Sequence, residues 1–276
     1  EIDAFGEGRG PLTAPAPLIR VPEGTTIVAS IRNDLDVPLR VHGLCEHNDT
    51  PCEPIDVQAS SSRDVKFRSG RAGTYAYWAD TLGLPPTLRF GPDSQLSGAF
   101  VVDPPRAAAG GSGVAARTMS GAVDDDRIFV ITEWSSLTRA QIREVAAADD
   151  PFMAGIAMKP KFATLLNGLS WPSTERLTYR LGDTVRWRFV NTSGEPHPLH
   201  LHGFYFDVDS VGDGVRDTHY AEGHKKREVT HLLPVGHTLV LTWRPERVGN
   251  WLFHCHIIEH VSPSRRIGKP DMGSSG

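Results

Sequence analysis

Short runs of alternating apolar and polar residues, separated by glycine and proline, occur along most of the chain. In residues 18–33, two runs rich in β-branched residues flank a Glu-Gly turn, which predicts two strands. Residues 177–191 repeat this plan around a Gly-Asp turn, and their last run alternates Val, Trp and Phe with two arginines. This period of two predicts a strand with one buried face. A further strand is expected over residues 127–134.

A helical pattern and a linker complete the predicted elements. Apolar residues at helical spacing over residues 137–148, followed by Asp-Asp-Pro, predict one short surface helix. The Pro-, Ala- and Gly-rich stretch that begins at residue 104 has too little apolar content to pack. We therefore expect a first domain (residues 1–104), a linker (residues 105–126) and a second domain (residues 127–276).

The two domains repeat one sequence plan. Residues 38–43 resemble residues 198–203, and residues 71–80 resemble residues 247–256. Such a likeness indicates a tandem duplication. Because each copy contains several short strands punctuated by Gly and Pro, the expected fold class is all-β, with two tandem Greek-key β-sandwiches.

Side chains that bind metals are concentrated in two segments of the second domain. A lone histidine is most often a hydrogen-bonded structural residue, but a cysteine and six histidines in two short apolar segments favour a metal site. The donors are His197, His200, His202, His254, Cys255, His256 and His260.

Strand geometry divides these donors into two sets. Successive side chains of a strand point to opposite faces, so Cys255 leaves the face opposite to that of His254 and His256. By the same parity, His197 is assigned to the face of Cys255. The other face gains His200 and His202. One tripeptide can therefore serve two metal sites.

The motif H-P-x-H-L-H-G followed by H-C-H-x-x-x-H resembles the C-terminal copper signature of the multicopper oxidases, the family that contains laccases and bilirubin oxidases. The resemblance implies cupredoxin-like sandwiches and copper as the cofactor. It also implies that His197, Cys255 and His260 bind the electron-accepting type 1 copper and are the catalytic residues. The implied ligands of the trinuclear cluster are His200 for type 2 copper and His202, His254 and His256 for the type 3 pair.

The axial ligand of the type 1 copper has two interpretations. In the family pattern a Met or Leu follows the last histidine by five residues, where this chain has Arg265. A Pro- and Arg-containing insertion favours a loop that returns Met272 to the site as a thioether ligand. The alternative is a frayed terminal methionine.

The first domain departs from the family pattern. Val37 stands where the second copy has His197, and Ala79 stands where it has Cys255, so no type 1 site is expected there. At the cluster positions, Arg40 replaces His200, Trp78 replaces His254, Asp80 replaces His256, and His42 alone matches a histidine, His202.

The number of histidines limits the chemistry. The family's complete set needs ten, whereas the motifs here supply seven: His42, His197, His200, His202, His254, His256 and His260. We therefore expect an incomplete or altered trinuclear site with His42 and Asp80 as its first-domain residues. Asp80 is interpreted either as a metal ligand beside His202 and His254 or as the ion-pair partner of Arg40.

Composition narrows the possible partners and location. The net charge is −4 without a basic block, which favours neither nucleic acid nor an anionic membrane surface. No apolar run approaches the roughly 18 residues of a membrane span. No signal peptide is recognisable at the first residues, so the chain is expected to be cytosolic or already processed.

Cys45 and Cys52 help to decide between a cytosolic protein and one that has been processed. A disulfide between Cys45 and Cys52 is the favoured interpretation, and it would place the protein outside the cytoplasm, in the periplasm or secreted. The alternative is a second metal site that combines these cysteines with His42 and His47.

The leading hypothesis is a laccase-like copper oxidoreductase that takes single electrons from a phenolic or metal-ion donor near His260. The ligand count places the reduction of dioxygen in doubt. The alternatives are a non-enzymatic blue-copper electron carrier, a structural protein with vestigial sites and, less favoured, a copper nitrite reductase. The resemblance also implies a homotrimer, in which a neighbouring subunit completes the outward-facing site.

Overall fold

The computed structural model describes residues 2–105, 123–262 and 266–268. We call residues 2–105 the N-terminal half and the later residues the C-terminal half. Strands form 42% of the structure and helices 12%, which confirms the predicted all-β fold class. The predicted linker, residues 105–126, lies mostly outside the described residues, so the division into domains stays a prediction.

Two sheets enclose the core of the N-terminal half. Phe100 of the larger sheet packs against Phe67 of the smaller one, with ring centroids 6.3 Å apart. The larger sheet contains, in spatial order, β3 (Ile19–Pro22), β9 (Ser97–Asp103), β8 (Gly73–Asp80), β5 (Leu39–His42) and β6 (Ile55–Val57). The smaller sheet pairs β4 (Thr26–Asn33) with β7 (Ser61–Arg68), and a separate short ladder pairs β1 (Phe5–Gly6) with β2 (Leu12–Thr13).

The C-terminal half also has two sheets, and aromatic side chains fill the space between them. Trp187 and Phe189 of the larger sheet lie 5.0 and 5.2 Å from Phe253 of the smaller one, measured between ring centroids. The larger sheet contains β11 (Phe162–Leu166), β10 (Asp125–Ser135), β12 (Val185–Asn191), β18 (Thr238–Trp243), β14 (Phe206–Gly212) and β15 (Asp217–His219), with β16 (Lys226–Glu228) also on β14. The smaller sheet contains β17 (Thr230–Leu233), β13 (His197–Leu201) and β19 (Phe253–Cys255).

The helices lie outside these sheets. The expected helix is present as α1 (Arg139–Ala146), where Thr138 and Gln141 form a capping box. A second helix, α2 (Pro151–Ala157), follows at the position where the sequence predicted only the end of the first helix. Its proline occupies the first turn, where no backbone N–H is needed, and Asp150 caps it. The last helix is α3 (Ile258–Val261), and no helix among the described residues has the length and apolar character to span a membrane.

Residues 177–180 do not form the strand that the internal repeat predicts. In the N-terminal half the corresponding strand, β3, pairs in parallel with β9, which follows β8 in the chain. In the C-terminal half the described residues that follow β19 form α3 instead of a strand. Residues 177–180 therefore have no such strand to pair with among the described residues.

Both faces of β12 are buried, so the prediction of one exposed, arginine-bearing face is wrong. Arg188 is 1% exposed because the N-terminal half covers this face. Its guanidinium donates to the Thr74 hydroxyl of β8 at 2.9 Å and to Asp126 at 2.8 Å. Asp126 also accepts from Arg20 of the N-terminal half at 2.9 Å. Although burial opposes ionisation, these two arginines hold the pKa of Asp126 below its usual range.

Thr74 also forms backbone hydrogen bonds between the two halves. Its backbone N–H donates to the buried carboxylate of Asp217 at 2.7 Å, and its carbonyl accepts from Thr238 at 3.0 Å. On a different side, buried Arg89 donates to the Thr192 carbonyl at 3.1 Å. These hydrogen bonds link β8 and the loop that follows it to the C-terminal half.

The predicted disulfide between Cys45 and Cys52 is present in the loop between β5 and β6. The alternative interpretation, a metal site that includes His42, is wrong in that form. His42 lies against Trp78, and its ring nitrogen contacts Asp80 instead of the cysteines.

Replacement of Arg188 by Met should lower the free energy of unfolding by about 3 kcal/mol, because it leaves a buried carboxylate with one partner fewer. Urea denaturation measures this change. Arg32→Met is the matched control, since Arg32 forms an exposed pair with Asp34 and should contribute about 0.5 kcal/mol or less. Equal losses in the two variants would show that buried Arg188 contributes no more to stability than an exposed ion pair.

Candidate metal centre

A thiol and two imidazoles meet at one end of the C-terminal sandwich. Cys255 ends β19, His197 begins β13 and His260 lies in α3. Donor atoms of the three residues lie within 4.8 Å of one another, and Cys255 Sγ is 3.4 Å from His260 Nδ1. His197 and His260 are 1% and 7% exposed. We call this group of two buried imidazoles and a partly exposed thiol the thiol site.

The second ring nitrogen of each histidine already has a partner. Nε2 of His197 lies 2.8 Å from the Ser193 hydroxyl, and Nε2 of His260 lies 2.9 Å from a Glu195 carboxylate oxygen. A hydrogen bond at one nitrogen fixes the ring and leaves the other nitrogen for a metal. Nδ1 of each ring is therefore the donor that an ion would meet.

In the absence of metal, burial and neighbouring groups shift the pKa values of the two histidines in opposite directions. Burial lowers the pKa of His197 to about 3, with a smaller effect from His260. Burial also opposes charge on His260, but hydrogen bonds with Cys255 and Glu195 and the charge of Glu133 raise its pKa to about 9. Burial, together with repulsion from Glu195, raises the pKa of Glu133 to about 7.

The donor set of the thiol site fits copper. Two imidazoles and one thiolate form the trigonal set of blue-copper sites, which take a weak thioether as the axial ligand. Ser193 and Glu195 already supply the outer hydrogen bonds that such ligands need. Met272, the expected axial ligand, lies outside the described residues, so its role stays a prediction.

Four histidines lie together on the opposite face of the same two strands. We call His200, His202, His254 and His256 the histidine face. His200 stands opposite His254 in the register of β13 and β19. The His200 ring centroid is 4.7 Å from those of His202 and His256. His202 and His256 are exposed, so this group opens outward from the chain.

Backbone contacts orient two rings of the histidine face. Nδ1 of His200 donates to the Val229 carbonyl at 2.8 Å, and Nδ1 of His254 donates to the Cys255 carbonyl at 2.8 Å. Each ring therefore presents Nε2 with its lone pair. Nε2 of His254 lies 3.0 Å from Nε2 of His202, and donor atoms of His200, His202 and His254 lie within 4.8 Å of one another.

His42 and Asp80 form a separate pair in the N-terminal half. His42 Nε2 lies 3.0 Å from Asp80 Oδ2, and the His42 ring stacks on Trp78 at 3.8 Å. No group of three or more described donors within 4.8 Å of one another joins this pair to the histidine face. A single chain therefore does not bring Asp80 to His202 and His254.

The interpretation of Asp80 as the ion-pair partner of Arg40 is wrong. The exposed Arg40 side chain binds Asp56 on β6 at 2.8 Å. Asp80 is buried and accepts from His42 and from the backbone N–H groups of Leu82 and Gly83. Although burial opposes ionisation, these hydrogen bonds hold the pKa of Asp80 below its usual range.

Strand register revises one equivalence of the internal repeat. Asp80 stands opposite Arg40 in β8 and β5, whereas His254 stands opposite His200 in β19 and β13. By position in the sheet, Asp80 therefore corresponds to His254, two residues from the sequence-based equivalence with His256. A shift of two residues keeps each side chain on the same face of the strand. With either equivalence, the N-terminal half has no counterpart of the Cys255 thiol.

Sequence reasoning missed the residues that orient the ligands. Ser193 and Glu195 lie within four residues of His197, in the connection between β12 and β13, but carry no motif of their own. Glu133 comes from β10 and is distant in sequence. The proximity of Glu195 to the H-P-x-H motif was a usable signal, whereas the position of Glu133 depends on the sheet order.

Comparisons with known proteins first define the class. The solved structure of the multicopper oxidase mgLAC matches with a TM-score of 0.65 and 22% identity over 93% of this chain and 74% of that one. A copper nitrite reductase from Nitrosomonas europaea matches with a TM-score of 0.61 and 18% identity over 91% of this chain and 81% of that one. At these identities the likeness defines the cupredoxin fold alone.

The sequence comparison finds a likeness to one family in part of the chain. Residues 141–264 match the model of the multicopper oxidase family. Laccase-3 of Botryotinia fuckeliana is 32% identical over 124 residues, which cover 38% of this chain and 27% of that protein. Residues 141–264 are thus similar to multicopper oxidases, a family that binds copper. The matched region spans less than a third of the length of this relative.

In the metal-free protein, a thiol reagent should titrate about one cysteine per chain, because Cys255 is free and partly exposed whereas Cys45 and Cys52 form a disulfide. Addition of Cu(II) should protect this thiol. His197→Ala should remove most of the protection, while His224→Ala, at an exposed histidine, should retain it. Equal protection in both variants would contradict the thiol site as a shared donor group.

Proposed function

We propose that the chain is a copper-dependent, laccase-like oxidoreductase that removes single electrons from a small phenolic or metal-ion donor at the thiol site. The observation that carries this proposal is the convergence of Cys255, His197 and His260 in one group. Copper bound by these residues would supply one-electron redox chemistry. The match of residues 141–264 to the multicopper oxidase family supports the same assignment.

His260 and Glu195 form the side of the thiol site that a donor would reach. The Glu195 side chain is 47% exposed and binds His260 Nε2 at 2.9 Å, so it connects the buried ring to the surface. A phenolic donor can pass its proton to this carboxylate as its electron leaves. Glu195 also fixes the His260 ring and thereby keeps Nδ1 directed towards Cys255.

The histidine face is the second half of the proposed function. His254 and His256 flank Cys255 in the chain, so a covalent path of a few bonds joins the thiol site to the opposite face. We assign His200, His202, His254 and His256 to the remaining copper positions. Four histidines on an outward face need donors from another surface, and we assign this role to the partly exposed His42 of a neighbouring copy, with buried Asp80 holding its ring.

A ring of three copies is the assembly we propose for completing this site. Trp251 and Leu252, which come directly before β19, are 40% and 47% exposed, and the Leu252 carbonyl accepts from the His202 N–H at 2.9 Å. Exposed apolar side chains beside a half-formed site favour contact with a second protein surface. The disulfide between Cys45 and Cys52 supports a location outside the cytoplasm, periplasmic or secreted.

The alternative function is electron transfer or copper binding without catalysis. The observation that favours it is the small number of donors in the N-terminal half, where His42 and Asp80 take the place of a full histidine set. With the histidine face incomplete, the thiol site would exchange electrons singly with a partner and would not deliver several electrons to dioxygen.

Copper-loaded protein should show intense visible absorption from the thiolate and should oxidise a phenolic donor with uptake of oxygen. Cys255→Ser should abolish both the colour and the oxidation, whereas His224→Gln, at an exposed histidine, should retain both. Absorption spectroscopy and an oxygen electrode measure the two effects. Colour without oxygen uptake would favour the electron carrier, and uptake that persists in Cys255→Ser would refute the thiol site as the point of electron entry.

The native chain should sediment at about three times the mass of one chain. Leu252→Glu should shift it towards a monomer, because it places a charge in the proposed contact. Ile156→Glu is the matched control, since this exposed apolar residue lies on α2. A wild-type protein that is monomeric at micromolar concentration in analytical ultracentrifugation would contradict the proposed assembly.

A further inference from the structure

We propose that Cys45, Cys52 and His47 form a second, redox-controlled binding site for Cu(I), which the disulfide closes and a thiol reductant opens. This site lies in the N-terminal half and is independent of the thiol site. The two sulfurs and a ring nitrogen of His47 lie within 4.8 Å of one another.

His47 is a buried ring that forms a backbone hydrogen bond with Gly43 and has one ring nitrogen without a partner. It is 2% exposed, and its Nε2 atom has no hydrogen-bond partner among the described residues. Leaving such a group unpaired costs about 1–3 kcal/mol, and its position beside two sulfurs suggests what it can bind. Burial lowers the pKa of His47 to about 4, so the ring is neutral at neutral pH.

The His47 ring is held in place before any metal arrives. It stacks on Tyr75 with ring centroids 3.7 Å apart, and the edge of Phe100 contacts it at 5.1 Å. Its carbonyl accepts from the Arg71 N–H at 2.7 Å. A side chain at Gly70 would meet the His47 backbone at 2.3 Å, so the two segments are in close contact. The nitrogen is therefore a fixed point towards which the cysteines can move.

The cysteines are accessible and part of a well-anchored loop. Both are partly exposed, so a reductant can reach the disulfide. Asp49, between them, binds Arg71 at 2.6 Å and lies 3.4 Å from Arg216 of the C-terminal half. Their Cα atoms are 5.8 Å apart, a separation that also permits two thiolates to bind one ion.

The donor set selects a soft ion. Two thiolates and one imidazole match Cu(I), which accepts sulfur and nitrogen ligands at low coordination number, and they resist hard ions such as Mg²⁺. Zn²⁺ would need a fourth ligand. A copper protein would meet Cu(I) whenever copper is supplied under reducing conditions.

The redox step balances with a dithiol as the reductant. The dithiol gives two electrons to the bond between the cysteine sulfurs and becomes a disulfide, and its two protons pass to Cys45 and Cys52. Binding of Cu(I) then displaces the thiol protons to water. A small-molecule disulfide then accepts two electrons from the Cys45 and Cys52 thiolates and two protons from water and becomes two thiols, which restores the protein disulfide and releases the ion.

The test uses the full chain with Cys255→Ser, in which Cys45 and Cys52 are the remaining cysteines. Oxidised and dithiol-reduced samples, freed of reductant without air, compete for Cu(I) with a coloured chelator. The reduced sample should bind about one ion per chain more than the oxidised sample. X-ray absorption of this additional copper should show two sulfur ligands and an imidazole nitrogen.

Two further variants test the role of His47. His47→Phe keeps an aromatic ring against Tyr75 and should weaken the additional binding by about tenfold or more. Tyr75→Phe is the matched control and should leave it unchanged. Equal uptake before and after reduction, or undiminished binding in His47→Phe, would overturn the proposal. The colour and activity of the Cys255-containing protein report separately on the thiol site.

Discussion

The alternation of side chains in β19 is the constraint on which the account depends. A strand presents consecutive side chains to opposite faces, so Cys255 joins the thiol site with His197 while its neighbour His254 joins the histidine face. The pairing of β19 with β13 brings matching residues to each face. One short strand pair thus forms two donor groups back to back, separated only by the thickness of the backbone.

The two halves of the chain contribute differently to this arrangement. The C-terminal half carries the thiol site and the histidine face, whereas the N-terminal half supplies His42 and Asp80 on another surface. The contacts of Arg188 with Thr74 and of Asp126 with Arg20 hold the halves together. The N-terminal half therefore has a structural role here, even though its own counterpart of the thiol site lacks the cysteine.

Local sequence pattern predicted the all-β class, the strand over residues 127–134 and the disulfide, because each depends on neighbouring residues or on a short loop. It failed where distant segments decide the outcome. The arginines of β12 read as a solvent-facing row, but the N-terminal half buries them. Residues 177–180 had the composition of a strand, but the described part of the chain offers no adjacent strand to pair with them.

The site shows the same limit. The alternation of side chains along a strand assigned the metal-binding residues to two faces, because this alternation depends on the strand alone. Glu133, Ser193 and the partner of Asp80 were not predictable, since sheet order and the loop after β8 determine those contacts. The two-residue offset between β8 and β19 is likewise a property of strand register, which sequence similarity between the halves does not reveal.

Anomalous diffraction at the copper edge from crystals of the copper-loaded protein tests the central claim most directly. The account predicts a copper peak between Cys255 Sγ and Nδ1 of His197 and His260, with the rings of His254 and His256 on the other side of the strand. Copper bound elsewhere, with the Cys255 sulfur remote from both histidines, would contradict it.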